Sequence, residues 1–223
     1  MSSTPDLTLH DYWRSSACYR VRIALNLKGL GYAQTPVHLV RGGGEQHSPG
    51  HVALNPQEAV PVLVDGKRVI RQSLAIIEYL EEAYGGTPLL PQQPRDRAHV
   101  RGLAQLIACD VHPLNNLRVM QYLEHRLGVD PDVRTTWIRH WIETGFRAFE
   151  TLLAGDAATG AFCHGDAPGL ADACLVPQVY NAVRYGVDLS PYPTIRAINE
   201  RCLQLDAFDA ARPERQPDAV PSA

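Results

Sequence analysis

The chain has 223 residues, 45% of them hydrophobic, enough to bury one generous core or two smaller ones without a metal or a disulfide. Its 21 basic and 24 acidic side chains form no long run of one sign, which argues against nucleic acid or an anionic membrane surface as partner and favours a small molecule. The five cysteines (Cys18, Cys109, Cys163, Cys174 and Cys202) include no C-x-x-C pair and no metal-ligand spacing, so neither a disulfide framework nor a metal site is expected, and the compartment reads as reducing.

At the N-terminus, residues 1–6 have neither a positive flank nor an apolar h-region, and no window reaches the ~18 apolar residues of a membrane span; the chain reads as cytoplasmic. Residues 7–12 alternate apolar and polar like a strand. Arg14-Ser15-Ser16 then leads into Val21, Ala24 and Leu25, a helix with a stop at Lys28-Gly29. A second strand within residues 32–40 completes a βαβ unit, and Gly42-Gly43-Gly44 marks a mobile loop. Val60-Pro61-Val62-Leu63-Val64 and Lys67-Arg68-Val69-Ile70 read as two strands around a tight turn, for which Asp65-Gly66 supplies positive φ. Gln72-Ser73 precedes Leu74, Ile77 and Leu80, and the serine is expected to cap a new helix.

Glycines and prolines between Gly85 and Pro94 read as an interdomain linker. Beyond it the pattern is helical: residues 95–124 with a disturbance near His112-Pro113, then 132–153, about 170–185, and 193–206, before a polar tail from about Arg212. The expected organisation is an α/β domain of βαβ-ββα order over residues 1–86, and an all-helical domain with the polar tail over residues 93–223.

Three places could carry chemistry. Ser15-Ser16-Ala17-Cys18 lies between strand and helix, where orphan amides and the positive helix end favour an anion such as a thiolate; the alternative is an ordinary N-cap serine. At Val60-Pro61 a cis bond would turn the amide and carbonyl of Val60 toward a peptide ligand; the alternative is a trans proline on an edge strand. Gln72-Ser73 offers a hydroxyl, an amide and unpaired N–H groups to a carboxylate. Together, in this βαβ-ββα order, they describe a slot for a γ-glutamyl tripeptide with a thiol.

From Ser15-Ser16-Ala17-Cys18 through Tyr19-Arg20-Val21-Arg22-Ile23-Ala24-Leu25, the chain resembles the signature of zeta-class glutathione transferases. Ala53-Leu54-Asn55-Pro56, Val60-Pro61, the run from Gln72-Ser73-Leu74 to Leu80-Glu81-Glu82, Leu175-Val176-Pro177-Gln178 and Val187-Asp188-Leu189-Ser190-Pro191-Tyr192-Pro193 extend the resemblance over nearly the whole chain. It implies a thioredoxin-like N-terminal domain, a helical C-terminal domain, a homodimer, glutathione as cofactor and maleylacetoacetate isomerase activity in aromatic catabolism. It further implies that Ser15 and Ser16 stabilise the glutathione thiolate and that Val60 pairs with the cysteinyl backbone. By the same resemblance Gln72 with Ser73 would bind the γ-glutamyl end, Gln46 would contact the glycyl side, and His112 and Asn116 would lie near glutathione. Maleylpyruvate isomerases resemble the chain in having histidine followed by proline and two asparagines.

Two positions depart from the family. The usual S-S-C has become Ser15-Ser16-Ala17, with Cys18 one place later as a buried helix residue or a reactive thiol. Gly169 stands where serine or threonine usually caps a helix. Isomerisation through glutathione's own sulfur needs no enzyme thiol, metal or redox cofactor, but it needs a grip on a dicarboxylate, for which Arg14, Arg184 and Arg118 are the candidates in that order. Tyr12 and Tyr19 read as core. The rival readings are a maleylpyruvate isomerase, a Cys18-dependent thiol transferase and a non-catalytic dimeric scaffold.

Overall fold

A computed structural model of the chain describes residues 6–220; the signal-free reading of the first five residues and the end of the tail lie outside them. The described residues divide into two compact units, Leu90–Gln204 and a unit joining Met1–Leu89 to Leu205–Ala223.

The first unit is built on a four-stranded sheet of order β2-β1-β3-β4. In β1 (Leu7–Asp11) the odd positions are buried and Thr8 and His10 half-buried, the period-2 pattern of a strand with one face on the core. Helix α1 (Ser16–Leu27) returns the chain so that β2 (Ala33–Pro36) pairs parallel to β1, a shorter strand than the sequence suggests. The glycine segment folds into 3₁₀ turns at Arg41–Gly43 and Glu45–His47, followed by a short helix α2 (Pro49–Leu54) that periodicity did not show. Strands β3 (Val62–Asp65) and β4 (Arg68–Arg71) form the expected hairpin, with the left-handed backbone confined to Gly66. Helix α3 (Ser73–Ala83) packs against α1. Tyr12 and Tyr19 are buried, as their placement in strand and helix patterns implied.

The second unit is helical: α4 (Pro94–Gln105), α5 (Leu117–His125), α6 (Pro131–Gly155), α7 (Leu170–Arg184) and α8 (Pro193–Cys202). Residues 170–179 of α7 are buried all round, so it forms the unit's core, packed by α4 and α8. The single helix expected over residues 95–124 is interrupted by a π segment (Leu106–Val111) and a 3₁₀ turn (His112–Asn115), where Pro113 lacks the amide an α-helix would use. Gly169 has no side chain to cap α7, and Asp172 compensates from inside: its carboxylate accepts the Gly169 N–H at 2.8 Å and the Cys163 N–H at 2.9 Å. Among the described residues no helix is long and apolar enough to cross a membrane.

The domain boundary at residues 86–93 is close to the observed division at Leu89, but the tail is a correction: residues from Leu205 onward join the first unit rather than the helical one. Helix α9 (Asp206–Asp209) packs on α1, Asn26 donates to the Ala207 carbonyl at 2.9 Å, and Arg22 donates to that of Ala211 at 3.0 Å. Polar composition concealed this docking because much of it is made by hydrogen bonds, to tail carbonyls and to the side chains of Gln216 and Asp218.

Candidate active site

Strand register gathers the candidate residues of the first unit. Asp11 at the end of β1 pairs with Pro36 at the end of β2, His10 pairs with Val62 at the start of β3, and Val62 pairs with Arg71 at the end of β4. Ser15, Val60, Gln72 and Ser73 are therefore delivered to one end of the sheet, together with the segment after β2 that carries Gln46.

Ser15 is the N-cap of α1, its hydroxyl accepting the Cys18 N–H at 3.3 Å. That leaves the hydroxyl hydrogen, and the first-turn amides of Ser16 and Ala17, which take no partner in the helix, as donors available to an anion. The Cys18 thiol is fully buried, and burial, with the charge of Asp11 adding to it, pushes its pKa well above the ordinary thiol value. Of the two readings of Cys18, the buried helix residue is the observed one.

The Val60–Pro61 peptide is cis, and the Val60 N–H and C=O take no part in the hydrogen bonds of the turns and loops. The Ala59 carbonyl just before it is fixed by two buried side chains, His51 Nε2 from α2 at 3.0 Å and Asn55 Nδ2 from the C-cap of α2 at 2.8 Å.

At α3 the expected cap is corrected. Gln72, with φ of 71°, occupies the N-cap and makes no side-chain cap bond, and Ser73 is the first helical residue. The Ser73 hydroxyl accepts instead from Arg20, a buried guanidinium on α1, at 3.3 Å, while Gln72 reaches Gln57 at 2.7 Å. A hydroxyl that accepts from a buried cation, beside open first-turn amides, is the kind of arrangement a carboxylate would need. Gln46 is buried; its Nε2 donates to the Leu39 carbonyl at 3.3 Å, and its Oε1 has no partner. Gly44, at φ of 107°, lies so close that a Cβ there would run into the Gln46 amide.

In the second unit, His112 and Asn116 pair with each other at 3.2 Å across the 3₁₀ turn, and Asn116 caps α5. Asn181 on α7 donates to Asn115 at 3.1 Å, and Asn115 to the Val111 carbonyl at 3.1 Å, which fixes the break. The arginines are less converged. Arg14 beside the serine turn stacks on the Trp13 ring at 5.2 Å; Arg184 is exposed over Tyr185; Arg118 is exposed on the first turn of α5. None of the three is in an ion pair among the described residues.

Sequence reasoning missed His51, Asn55 and Arg20 as supports. The available signals were the i, i+4 spacing of His51 and Asn55, and arginines inside the otherwise apolar Tyr19-Arg20-Val21-Arg22-Ile23 run.

The pattern described as "Glutathione S-transferase, N-terminal domain" matches residues 9–88. Over 211 residues the chain is 51% identical to a maleylacetoacetate isomerase of Rhizobium meliloti, covering 94% of this chain and 97% of the relative. Among solved structures, a bacterial zeta-class maleylpyruvate isomerase superposes with a TM-score of 0.93 at 47% identity, covering 96% of this chain and all of the other. A maleylacetoacetate isomerase of Methylobacterium extorquens, solved with malonate and glutathione bound, gives 0.93 at 45% identity with the same coverage.

Proposed function

The chain belongs to the zeta-class glutathione transferases, and from that premise we infer that it is a glutathione-dependent cis–trans isomerase converting maleylacetoacetate to fumarylacetoacetate. The observation that carries the site assignment is the convergence, at one end of one sheet, of a capped serine turn, a cis Val-Pro and a Gln-Ser helix start.

The residues present fit the tripeptide: free amides and a hydroxyl for the sulfur, a backbone donor–acceptor pair at Val60 for the cysteinyl unit, a cation-backed helix start for the γ-glutamyl carboxylate, and the unpartnered Gln46 Oε1 for the glycyl side. Glutathione held there would supply a thiolate for reversible addition to the cis double bond, a chemistry with no net gain or loss of atom, proton or electron. Ser15 and the Ser16 amide hold that sulfur as the anion. Val60 fixes its direction, and Gln72 with Ser73 anchors the far end, as a near-attack geometry requires. Arg14, adjoining the turn, is the first choice for a substrate carboxylate, ahead of Arg184 and Arg118. The M. extorquens relative binds a dicarboxylate together with glutathione, which supports the same pairing for this chain. A cytoplasmic homodimer is the form we assign on the family resemblance.

A second reading, maleylpyruvate as substrate, is favoured by the equal structural similarity to a maleylpyruvate isomerase. Turnover of each acid, with and without glutathione, by wild type and Ser15→Ala decides. Strict glutathione dependence, weakened at least ten-fold in the variant on the scale of a lost anion donor, is expected and names the substrate (about 1.4 kcal/mol). Turnover of neither acid overturns the isomerase assignment.

A further inference from the structure

We propose that Asp218, in the C-terminal tail, is a positioning residue for the serine turn, setting the acidity of the glutathione thiol through the backbone of Trp13; this rests on the reading that Ser15 holds the sulfur. Between the end of β1 and Ser15 the chain has only Tyr12, Trp13 and Arg14 in which to turn. Both backbone polar groups of Trp13 are held from outside this segment. Its N–H donates to Asp218 Oδ2 at 3.0 Å, and its carbonyl accepts from Arg22 Nη2 at 2.9 Å. The Ser15 N–H in turn donates to the Tyr12 carbonyl at 2.9 Å, so the peptide groups leading into the thiolate turn form one connected chain of hydrogen bonds.

The tail is itself anchored for this task. Arg22, fully buried, pairs with Asp11 at 2.7 Å and binds the Ala211 carbonyl. Gln34 bridges Asp11 Oδ2 at 3.0 Å and Gln216 Oε1 at 2.9 Å, and Gln216 Nε2 closes the tail onto the carbonyls of Ala210 and Arg212. Two residues after Gln216 comes Asp218, half-buried, with its carboxylate on the Trp13 amide. Asp11, Arg22 and Gln34 tie tail to sheet and bear on stability; Asp218 touches the turn through a single bond at the tail's far end. A donor array placed to within about 0.5 Å by such outer contacts is what selective stabilisation of an anion requires.

The test is titration of the ultraviolet thiolate band of glutathione bound to the full-length protein. Asp218→Ala is expected to raise the pKa of the bound thiol by about 0.5 units, with an unchanged thermal midpoint, and Asp218→Asn, which keeps an acceptor oxygen, to restore it. Arg215→Ala, which cuts the 2.7 Å Arg215–Asp209 ion pair in the same tail without touching Trp13, is expected to leave the titration at the wild-type value. If Asp218→Ala leaves the pKa unmoved while Ser15→Ala shifts it, or if Asp218→Ala and Arg215→Ala shift it equally, the proposal is overturned and the thiolate site stands. If Ser15→Ala itself has no effect, the reading of the thiolate site falls, and the proposal with it.

Discussion

His51 on α2 and Asn55, the residue that caps its C-terminal end, donate to a single acceptor, the carbonyl of Ala59, and so fix the peptide that precedes Val60. Donation by His51 places its ring proton on Nε2. Asn55 also accepts the Gln57 N–H at 3.1 Å, making it the central member of the arrangement.

Asn55→Ala is therefore expected to raise the KM for glutathione about five-fold, the equivalent of one hydrogen bond of about 1 kcal/mol, with a smaller change in kcat. Steady-state kinetics with glutathione varied at saturating acid measure this. An equal fall in kcat with KM unchanged would remove Val60 from the binding role.

Cysteine chemistry should follow burial rather than nearness to the serine turn. Cys109 is exposed and Cys18 is not, so peptide mapping after brief maleimide treatment of the native protein should find Cys109 labelled well before Cys18. Cys18→Ala should keep glutathione-dependent isomerisation within about two-fold of wild type, since the reaction uses the tripeptide's sulfur. Loss of activity on that substitution would restore the thiol-transferase reading.

The His10 ring on β1 is half-buried, with the His51 ring 6.3 Å away, and both burial and His51 hold its pKa below 6.5. The unfolded chain then binds a proton at this site more readily than the native one. The stability His10 contributes is full above pH 6.5 and is lost as pH falls through the depressed native pKa. Urea midpoints should therefore decline as pH falls below 6.5, and His10→Gln should flatten that decline. An unchanged slope in the variant would assign the decline to other groups.

Asp172 is buried beneath the start of α7, and burial raises its carboxyl pKa above 3.8 although two backbone amides oppose the shift. Asp172→Ala leaves both amides without a partner and is expected to destabilise the protein by about 3 kcal/mol. Asp172→Asn, keeping one acceptor, should cost about half as much. Denaturant midpoints of the two variants decide; equal losses would mean that charge, not acceptor count, is what matters at this cap.

Much of the molecule was legible from local pattern. The alternation of Leu7 and Leu9, the Asp65-Gly66 turn and the serine at the start of α1 each state their structure within a few residues, because strand, turn and cap are local preferences of backbone and side chain. The Val60-Pro61 dipeptide marked the place where a backbone pair faces outward, but not its isomer. The arginine ranking placed only Arg14 beside the turn; Arg184 and Arg118 are on exposed surface of the helical unit.

The sequence by itself determined the βαβ-ββα order of the first unit, the candidate residues gathered at its sheet end and, through resemblance, the family chemistry. The tertiary structure decided which partners hold those residues in place: Ser73 bonded to Arg20 rather than capping α3, Ala59 clamped by His51 and Asn55, and a polar tail brought back from the end of the chain to Trp13. Those choices join residues as far apart as 205 positions, and they depend on which donors remain unsatisfied once the core has closed, a condition no stretch of local sequence can express.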